Sequence, residues 1–262
     1  MNILDKIIAD IRRDLVAEKE LYPESAMIDQ AEKAPKCRDF KGAFAHPAAI
    51  RIIAELKKAS PSKGLIRAEF EPDQLCLELE AAGAAALSVL TEKNYFLGSQ
   101  DYLRQVTQRV NIPVLRKDFM VEPYQIYRAR VLGADAILLI AAALDRVVFA
   151  RLLQTARLLG LGVLSEVHNR DELAMALDLG VDIVGINCRD LKTFHTDLAV
   201  IEKMLALIPR DKVAIAESGI TGRADILRLI DAGASGFLIG ETLMRAAHPG
   251  AMLASLINGP RS

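Results

Sequence analysis

The amino-acid sequence predicts a single (βα)8 TIM barrel preceded by an N-terminal helical extension. From about residue 50 onward, eight short apolar runs rich in β-branched residues alternate with amphipathic stretches, as is typical of repeated βα units around a parallel sheet. Each run is almost continuously apolar, as expected of a strand that is buried on both faces. The chain of 262 residues also has the length of one such barrel.

The apolar runs locate the strands, and the stretches between them locate the outer helices. One such stretch repeats apolar residues at a spacing of three and four, including Leu144, Val148 and Leu152, which indicates a helix. Glycines follow several helices where a C-cap requires a positive φ, namely Gly83, Gly133, Gly180 and Gly233. We expect strands at Ile50–Leu56, Ala86–Leu90, Val114–Arg116, Ala136–Ile140, Gly162–Ser165, Ile183–Ile186, Val213–Ala216 and Gly236–Ile239.

An open doubly wound sheet is the alternative architecture, but no glycine-rich dinucleotide fingerprint follows the first strand. We therefore favour a closed barrel over residues 50–262. Residues 1–49 form an extension with a helix over Leu4 to about Glu18 and a turn around Pro23. Such an extension must cap an end of the barrel or lie on its outside. Since no interdomain linker is visible, we expect one domain.

Charge and cysteine content exclude several function classes. The chain has 33 Lys plus Arg against 34 Asp plus Glu, so no general field attracts nucleic acid or an anionic membrane. The three cysteines lack a C-x-x-C pair and the histidines are scattered, so neither a disulfide framework nor a metal site is predicted. No apolar run approaches the roughly 20 residues of a membrane span, and no apolar leader opens the chain. We expect a soluble, cytoplasmic protein.

Polar residues follow several of the predicted strands. In a (βα)8 barrel the strand ends face the C-terminal mouth, where groups from different strands converge. Glu55 and Lys57 alternate with apolar neighbours on the first strand, which points both charges towards the barrel axis. Buried charges require mutual pairing or a charged substrate. These groups could merely solvate the rim, but their number favours a shared pocket of Glu55, Lys57, Lys117, Glu166, Asn187 and Glu217.

The last two strands are followed by glycine-containing loops. Such loops form a phosphate site in many barrels, because backbone amides and a helix N-terminus point at the ligand. Gly219 and Gly240 would allow close approach, although both could serve tight turns only. Glu241 is unexpected beside a phosphate, so we predict that its side chain points outwards. His168 follows Glu166 by two residues, and we interpret it as a loop histidine without a role.

Residues 53–64, Ile-Ala-Glu-Leu-Lys-Lys-Ala-Ser-Pro-Ser-Lys-Gly, resemble the first-strand signature of the indole-3-glycerol-phosphate synthase family. The similarity extends in the same order over about residues 50 to 248. The family's helical extension, which caps the active-site mouth, is also similar to residues 1–49, though less specifically. The further matching segments are Leu87–Glu92, Leu115–Phe119, Gly133–Ile140, Glu166–His168, Gly185–Leu191, Glu217–Ile220 and Leu238–Met244.

The resemblance implies that Lys117 is the general acid of ring closure and Glu166 a general base. It also implies that Glu55 and Lys57 are a paired acid and base acting on the intermediate, and the division of roles among these four stays open. Cys188 and Ser165 depart from the family pattern, and neither removes a catalytic group. The implied substrate-binding residues are Ser60, Phe119, Asn187, Arg189, Glu217, Ser218, Gly219 and Gly240.

The family's reaction converts 1-(2-carboxyphenylamino)-1-deoxyribulose 5-phosphate to indole-3-glycerol phosphate, carbon dioxide and water in tryptophan biosynthesis. Attack of the aromatic carbon on the ketone develops negative charge on oxygen, which an ammonium neutralises by proton transfer. The ring then acts as the electron sink for decarboxylation, so we expect no metal and no pyridoxal or thiamine cofactor. We expect a monomer that acts on a small phosphorylated substrate. Weak association with other tryptophan-pathway enzymes stays open.

Three other functions are compatible with parts of the pattern. A Schiff-base lyase or aldolase would use Lys117 or Lys57 as a nucleophilic amine on the same phosphate-binding barrel. A non-catalytic barrel would bind a phosphorylated ligand without turnover, although the set of charged groups at the strand ends disfavours it. A phosphoribosylanthranilate isomerase would need its acid and base in a different motif setting.

Overall fold

A closed parallel barrel forms the centre of the computed structural model, which describes residues 3–45, 49–187 and 197–259. Each strand pairs with its neighbours along the chain, and the last strand pairs with the first. The predicted barrel is therefore confirmed and the open sheet is excluded. The strands are β1 (Ile52–Leu56), β2 (Ala86–Leu90), β3 (Val114–Lys117), β4 (Ala136–Ile140), β5 (Gly162–Val167), β6 (Ile183–Asn187), β7 (Val213–Glu217) and β8 (Gly236–Ile239).

The strand ends differ from the sequence prediction by one or two residues. The strands β3, β6 and β7 continue onto the polar residues Lys117, Asn187 and Glu217, because the backbone ladder does not stop where the side chains become polar. Asn187 is paired in register with Glu217. The ladders therefore carry these side chains to the carboxyl edge of the sheet, where the site lies.

Helices follow the strands and cover the outside of the barrel. Several begin at a residue whose side chain accepts a backbone N–H, such as Ser99, Asp145 and Asn169. The four glycines predicted to follow helices have φ values of 94°, 86°, 75° and 108° in chain order. The helices are α1 (Ile3–Leu21), α2 (Glu24–Lys33), α3 (Pro72–Ala81), α4 (Gln100–Arg109), α5 (Pro123–Val131), α6 (Arg146–Leu158), α7 (Arg170–Asp178), α8 (Leu198–Leu205), α9 (Arg223–Asp231), α10 (Glu241–Arg245) and α11 (Pro249–Asn258).

The extension covers both ends of the barrel. Helix α1 brings Ile3, Leu4 and Ile7 to the mouth at the carboxyl ends of the strands. The chain then passes along α5 through α2, a helix that the sequence analysis did not predict. Phe40 and Phe44 pack edge to face, with ring centroids 5.5 Å apart, against the inward-facing residues of the strands.

The two phenylalanines close the amino end of the barrel because two strands begin with glycine. A Cβ on Gly162 would lie 2.9 Å from Phe40 Cβ, and a Cβ on Gly236 would lie 2.8 Å from Phe44 Cδ1. These rings continue the inner core of Ile53, Leu115, Leu138, Leu164 and Ile215. Among the described helices, none has the length and hydropathy needed to cross a membrane.

Phe40→Ala should destabilise the fold, because its ring is only 2% exposed and is enclosed by backbone that glycine keeps close. We expect the free energy of unfolding to fall by about 3 to 5 kcal/mol in urea titrations. Leu158→Ala, at a position that is 80% exposed, is the control and should change stability by no more than about 0.5 kcal/mol. Equal losses in the two variants would show that the ring is not part of the core.

Candidate active site

A cavity of about 630 Å³ opens at the carboxyl ends of the strands. Strand ends, the loops that follow them and the first turns of α1 all contribute to its wall. Arg189, one of the predicted site residues, lies outside the described residues. The structure brings the other predicted site residues to this one cavity, namely Glu55, Lys57, Ser60, Lys117, Phe119, Glu166, Asn187, Glu217, Ser218, Gly219 and Gly240.

Lys117, the last residue of β3, lies among carboxylates. Its Nζ is 3.0 Å from Oε2 of Glu166 and 3.7 Å from Oε2 of Glu217, and its side chain is 13% exposed. Burial works to lower the pKa of Lys117, but the negative charges of Glu166, Glu217 and Glu55 outweigh it and raise this pKa above its usual value. Lys117 is therefore an ammonium at neutral pH, the form that can donate a proton.

Glu166 on β5 and Glu217 on β7 are both buried, yet their pKa values move in opposite directions. Burial works to raise the pKa of Glu166, but Lys117 and His168 outweigh it and lower this pKa below its usual value. Burial and the negative charge of Glu166 raise the pKa of Glu217 to about 8. At neutral pH the site thus offers a carboxylate that can accept a proton and a carboxylic acid that can donate one.

Glu55 and Lys57 form a second ion pair at the end of β1, with Oε1 of Glu55 2.7 Å from Nζ of Lys57. Burial works to raise the pKa of Glu55, but the ammonium groups of Lys57 and Lys117 outweigh it, so this pKa lies below its usual value. Glu55 is 3% exposed. The pair therefore places an anion and a cation next to each other on the inner face of the barrel.

Two glycines, Gly185 on β6 and Gly240 directly after β8, make room for these carboxyls. A Cβ on Gly185 would lie 2.0 Å from Oε1 of Glu217, and a Cβ on Gly240 would lie 2.4 Å from Oε1 of Glu55. Both distances are far below van der Waals contact. In this structure, then, Gly240 makes room for the carboxyl of Glu55, besides lying at the start of the predicted phosphate loop.

The end of β6 and the loops after β7 and β8 meet beside these charges. Ser218 and Gly219 both have left-handed backbone, with φ of 65° and 74°, which turns the chain sharply after β7. Ser218 Oγ donates a hydrogen bond of 2.9 Å to Oδ1 of Asn187. Thr242 Oγ1 donates one of 2.7 Å to the carbonyl of Ile220, which joins the last two loops.

A short hairpin that the sequence analysis did not predict follows β1. Its strands, Ala59–Ser60 and Gly64–Leu65, place Ser60 against the cavity. Lys63 in its turn lies 3.8 Å from Glu241, whose carboxylate also accepts a 2.9 Å hydrogen bond from Arg245 Nε. Glu241, whose side chain was predicted to point outwards, borders the cavity, and two cations compensate its charge.

His168, interpreted from the sequence as a loop histidine without a role, does lie in the loop directly after β5, and there it contacts the site. Its Nε2 is 3.4 Å from Oε1 of Glu166, and its Nδ1 is 3.2 Å from Oε2 of Glu172. Its spacing of two residues from Glu166 carries the signal, since residues two apart in an extended chain share a face, as for Glu55 and Lys57. Phe96 was missed; it faces Phe119 at 6.0 Å between ring centroids and forms an apolar wall of the cavity.

A closed barrel whose mouth holds a buried ammonium and two carboxyls of opposite ionisation defines an acid–base enzyme. The family model described as indole-3-glycerol phosphate synthase matches residues 4–256. The chain belongs to the indole-3-glycerol phosphate synthase family, and the resemblance seen in the sequence is confirmed.

Relatives and solved structures agree with this membership. The chain is 51% identical over 257 residues to an indole-3-glycerol phosphate synthase of Koribacter versatilis (strain Ellin345). The aligned region covers 97% of the chain and 98% of that protein. It is 45% identical to the one of Alkaliphilus metalliredigens (strain QYMF), with 98% of each covered.

More distant likenesses show the fold alone. The structure of 3-hexulose-6-phosphate synthase from Salmonella typhimurium matches with a TM-score of 0.64 at 12% identity, covering 79% of this chain and 96% of that one. Thiamine phosphate pyrophosphorylase from Pyrococcus furiosus matches with a TM-score of 0.56 at 15% identity, and the match covers 79% of this chain and 93% of that one.

Gly185→Ala should impair turnover, because the new methyl group would displace the carboxyl of Glu217 from its place beside Lys117. We expect kcat/KM to fall by at least about tenfold, which corresponds to about 1.4 kcal/mol of lost transition-state stabilisation. Gly222→Ala is the matched control, since a Cβ there has nothing within 4 Å. If both variants keep wild-type kcat/KM, the carboxyl of Glu217 does not need this position.

Proposed function

We propose that the described cavity closes the indole ring of its substrate by acid–base catalysis with Lys117 as general acid. The chain is a carboxy-lyase of tryptophan biosynthesis by family membership, and the reaction forms indole-3-glycerol phosphate from 1-(2-carboxyphenylamino)-1-deoxyribulose 5-phosphate. The observation that carries the assignment is the ammonium of Lys117 between Glu166 and Glu217. Its Nζ lies within 4 Å of a carboxyl oxygen of each glutamate, and all three residues line the cavity.

Ring closure is the step that Lys117 serves. As the aromatic carbon attacks the ketone, negative charge grows on the ketone oxygen, and a positioned ammonium stabilises it and transfers a proton. The ring is then a cation, and the loss of carbon dioxide returns electrons to it. This sequence needs no cofactor as an electron sink.

Dehydration requires an acid for the departing hydroxyl and a base for the remaining proton. Glu166 is the proposed base, because its lowered pKa keeps it ionised at neutral pH. The pair of Glu55 and Lys57 is proposed to bind and to exchange a proton with the intermediate, with Lys57 or Lys117 as the acid of this step. Glu217 is the proposed pocket residue that stays protonated near neutral pH.

The remaining contacts are proposed to hold the two ends of the substrate. Ser60, Ser218, Gly219 and Gly240 border the cavity and would bind the phosphate through hydroxyl and backbone N–H groups. Phe119, opposite Phe96, would cover the aromatic ring. Asn187 and, outside the described residues, Arg189 are proposed to contact the sugar and carboxylate.

We further propose that residues 1–49 and 50–262 form one domain, because α1 and the Phe40 to Phe44 segment pack on opposite ends of the same barrel. We propose the cytoplasm as its surroundings, because the spacing of the cysteines indicates no disulfide framework. The proposed oligomeric state is a monomer. Association with other enzymes of the pathway, if it occurs, is proposed to be weak.

The Schiff-base alternative is disfavoured by the charge of Lys117. A nucleophilic amine needs a free lone pair and a lowered pKa, whereas the pKa of Lys117 is raised. Borohydride reduction in the presence of substrate tests this: no covalent adduct is expected, and a trapped adduct would establish the aldolase chemistry instead.

Lys117→Ala should reduce the rate of indole formation by at least about 10² to 10⁴, the typical loss for a positioned general acid. The chain contains no Trp, so the rise of indole emission can be followed by fluorescence against five Tyr and eight Phe. Substrate binding should change far less, because other loops hold the phosphate.

Lys41→Ala is the control for this measurement. Lys41 is a half-exposed lysine that pairs with Asp182 at the opposite end of the barrel, so its loss should leave the rate near wild type. A Lys117→Ala protein that turns over at the control rate would refute the assignment of the general acid.

A further inference from the structure

His168 connects the cavity to helix α7. Its side chain is 15% exposed, with Nε2 3.4 Å from Oε1 of Glu166 and Nδ1 3.2 Å from Oε2 of Glu172. Glu172 is itself fixed, because it accepts hydrogen bonds from the backbone N–H of His168 at 2.7 Å and from Nδ2 of Asn169 at 2.6 Å. The imidazole therefore lies between one carboxylate of the site and one outside it.

This placement determines the charge of the ring. Burial works to lower the pKa of His168, but the carboxylates of Glu166 and Glu172 outweigh it and raise this pKa to about 10. Both ring nitrogens then carry protons at neutral pH, one facing each carboxylate. The other charged groups that influence Glu166 are Lys117, which lowers its pKa, and the carboxyls of Glu55 and Glu217.

The two oxygens of Glu166 face different cations. Oε2 faces Nζ of Lys117 at 3.0 Å, and Oε1 faces Nε2 of His168 at 3.4 Å. When Lys117 transfers its proton to the substrate, Glu166 loses one of these positive neighbours. His168 then remains as a cation beside Glu166, and Glu172 outside the reaction keeps that cation charged.

We propose that His168 is a positioning residue, a cationic link anchored by Glu172 that keeps Glu166 oriented and ionised after Lys117 has given up its proton. This inference rests on the proposed function, because it takes Glu166 to be the base. It assigns a role in the reaction to Glu172, a residue of α7 that does not line the cavity.

The test compares two quantities in the same variants: the pKa of His168, measured by NMR, and the pH dependence of kcat. Imidazole NMR should show one of the four histidines titrating near pH 10 in the wild type. Glu172→Gln should lower that pKa by about one unit or more, since it removes one facing carboxylate. The alkaline limb of kcat should move to lower pH with it, while KM stays within about twofold.

Asp171→Asn is the matched control, because it removes an exposed carboxylate from the same turn of α7. It should change neither the histidine titration nor the pH profile of kcat. His168→Gln keeps a donor near the Nε2 position without the charge, so kcat should fall at least about tenfold. If Glu172 acts through His168, adding Glu172→Gln to the His168→Gln protein should not change kcat further. If Glu172 has only a structural role, Glu172→Gln should lower kcat in the His168→Gln protein as well.

Two results would overturn the inference: a wild-type His168 that titrates near 6.5, or a Glu172→Gln protein whose histidine pKa falls while its kcat profile does not move. Glu166→Gln separates these from a failure of the proposed function. If Glu166→Gln turns over like the wild type, the assignment of the base fails. If it is inactive while the His168 variants keep the wild-type profile, only the inference about His168 fails.

Discussion

The ion pairs around Lys117 are the interaction on which the site depends. An unpaired ammonium at the mouth of an apolar barrel would be costly, and the carboxylate of Glu166 on β5 compensates it at 3.0 Å, while the carboxyl of Glu217 on β7 lies 3.7 Å away. Removing one partner of such a cluster leaves the others as unpaired buried charges. The barrel architecture is what allows this arrangement, because parallel strands deliver side chains from distant parts of the chain to one edge.

The same cluster separates the ionisation of two chemically identical groups. Glu166 faces two cations and remains ionised, whereas Glu217 is buried beside the negative charge of Glu166 and holds its proton to about pH 8. One cavity can therefore take up and release protons at neutral pH with carboxyls alone. Space for these carboxyls comes from Gly185 and Gly240, so backbone as well as charge determines the chemistry.

Sequence reasoning located the strands and most of the site because both depend on local periodicity. Apolar runs identify buried strands, and the first polar residue after each run marks the mouth, as for Lys117 and Glu217. Contacts between strands were not accessible in this way: that Gly185 faces the carboxyl of Glu217 depends on how neighbouring strands stagger around the barrel. Phe40 and Phe44, which close the amino end of the barrel, lie in a segment without periodicity. The contact of His168 with Glu166 depends on the path of the loop after β5, which the sequence pattern does not give.

A carbon-13 NMR titration of the glutamate carboxyls in the free protein tests most directly whether the cluster around Lys117 sets their pKa values. One buried glutamate should titrate near pH 8, and its signal should be missing in Glu217→Gln, which assigns it to Glu217. Glu166 should stay ionised at pH values well below the usual pKa of a glutamate. In Lys117→Met, which removes the central cation, the pKa of Glu166 should rise. Glutamates that all titrate near 4.5, with or without Lys117, would contradict the central role of this cluster.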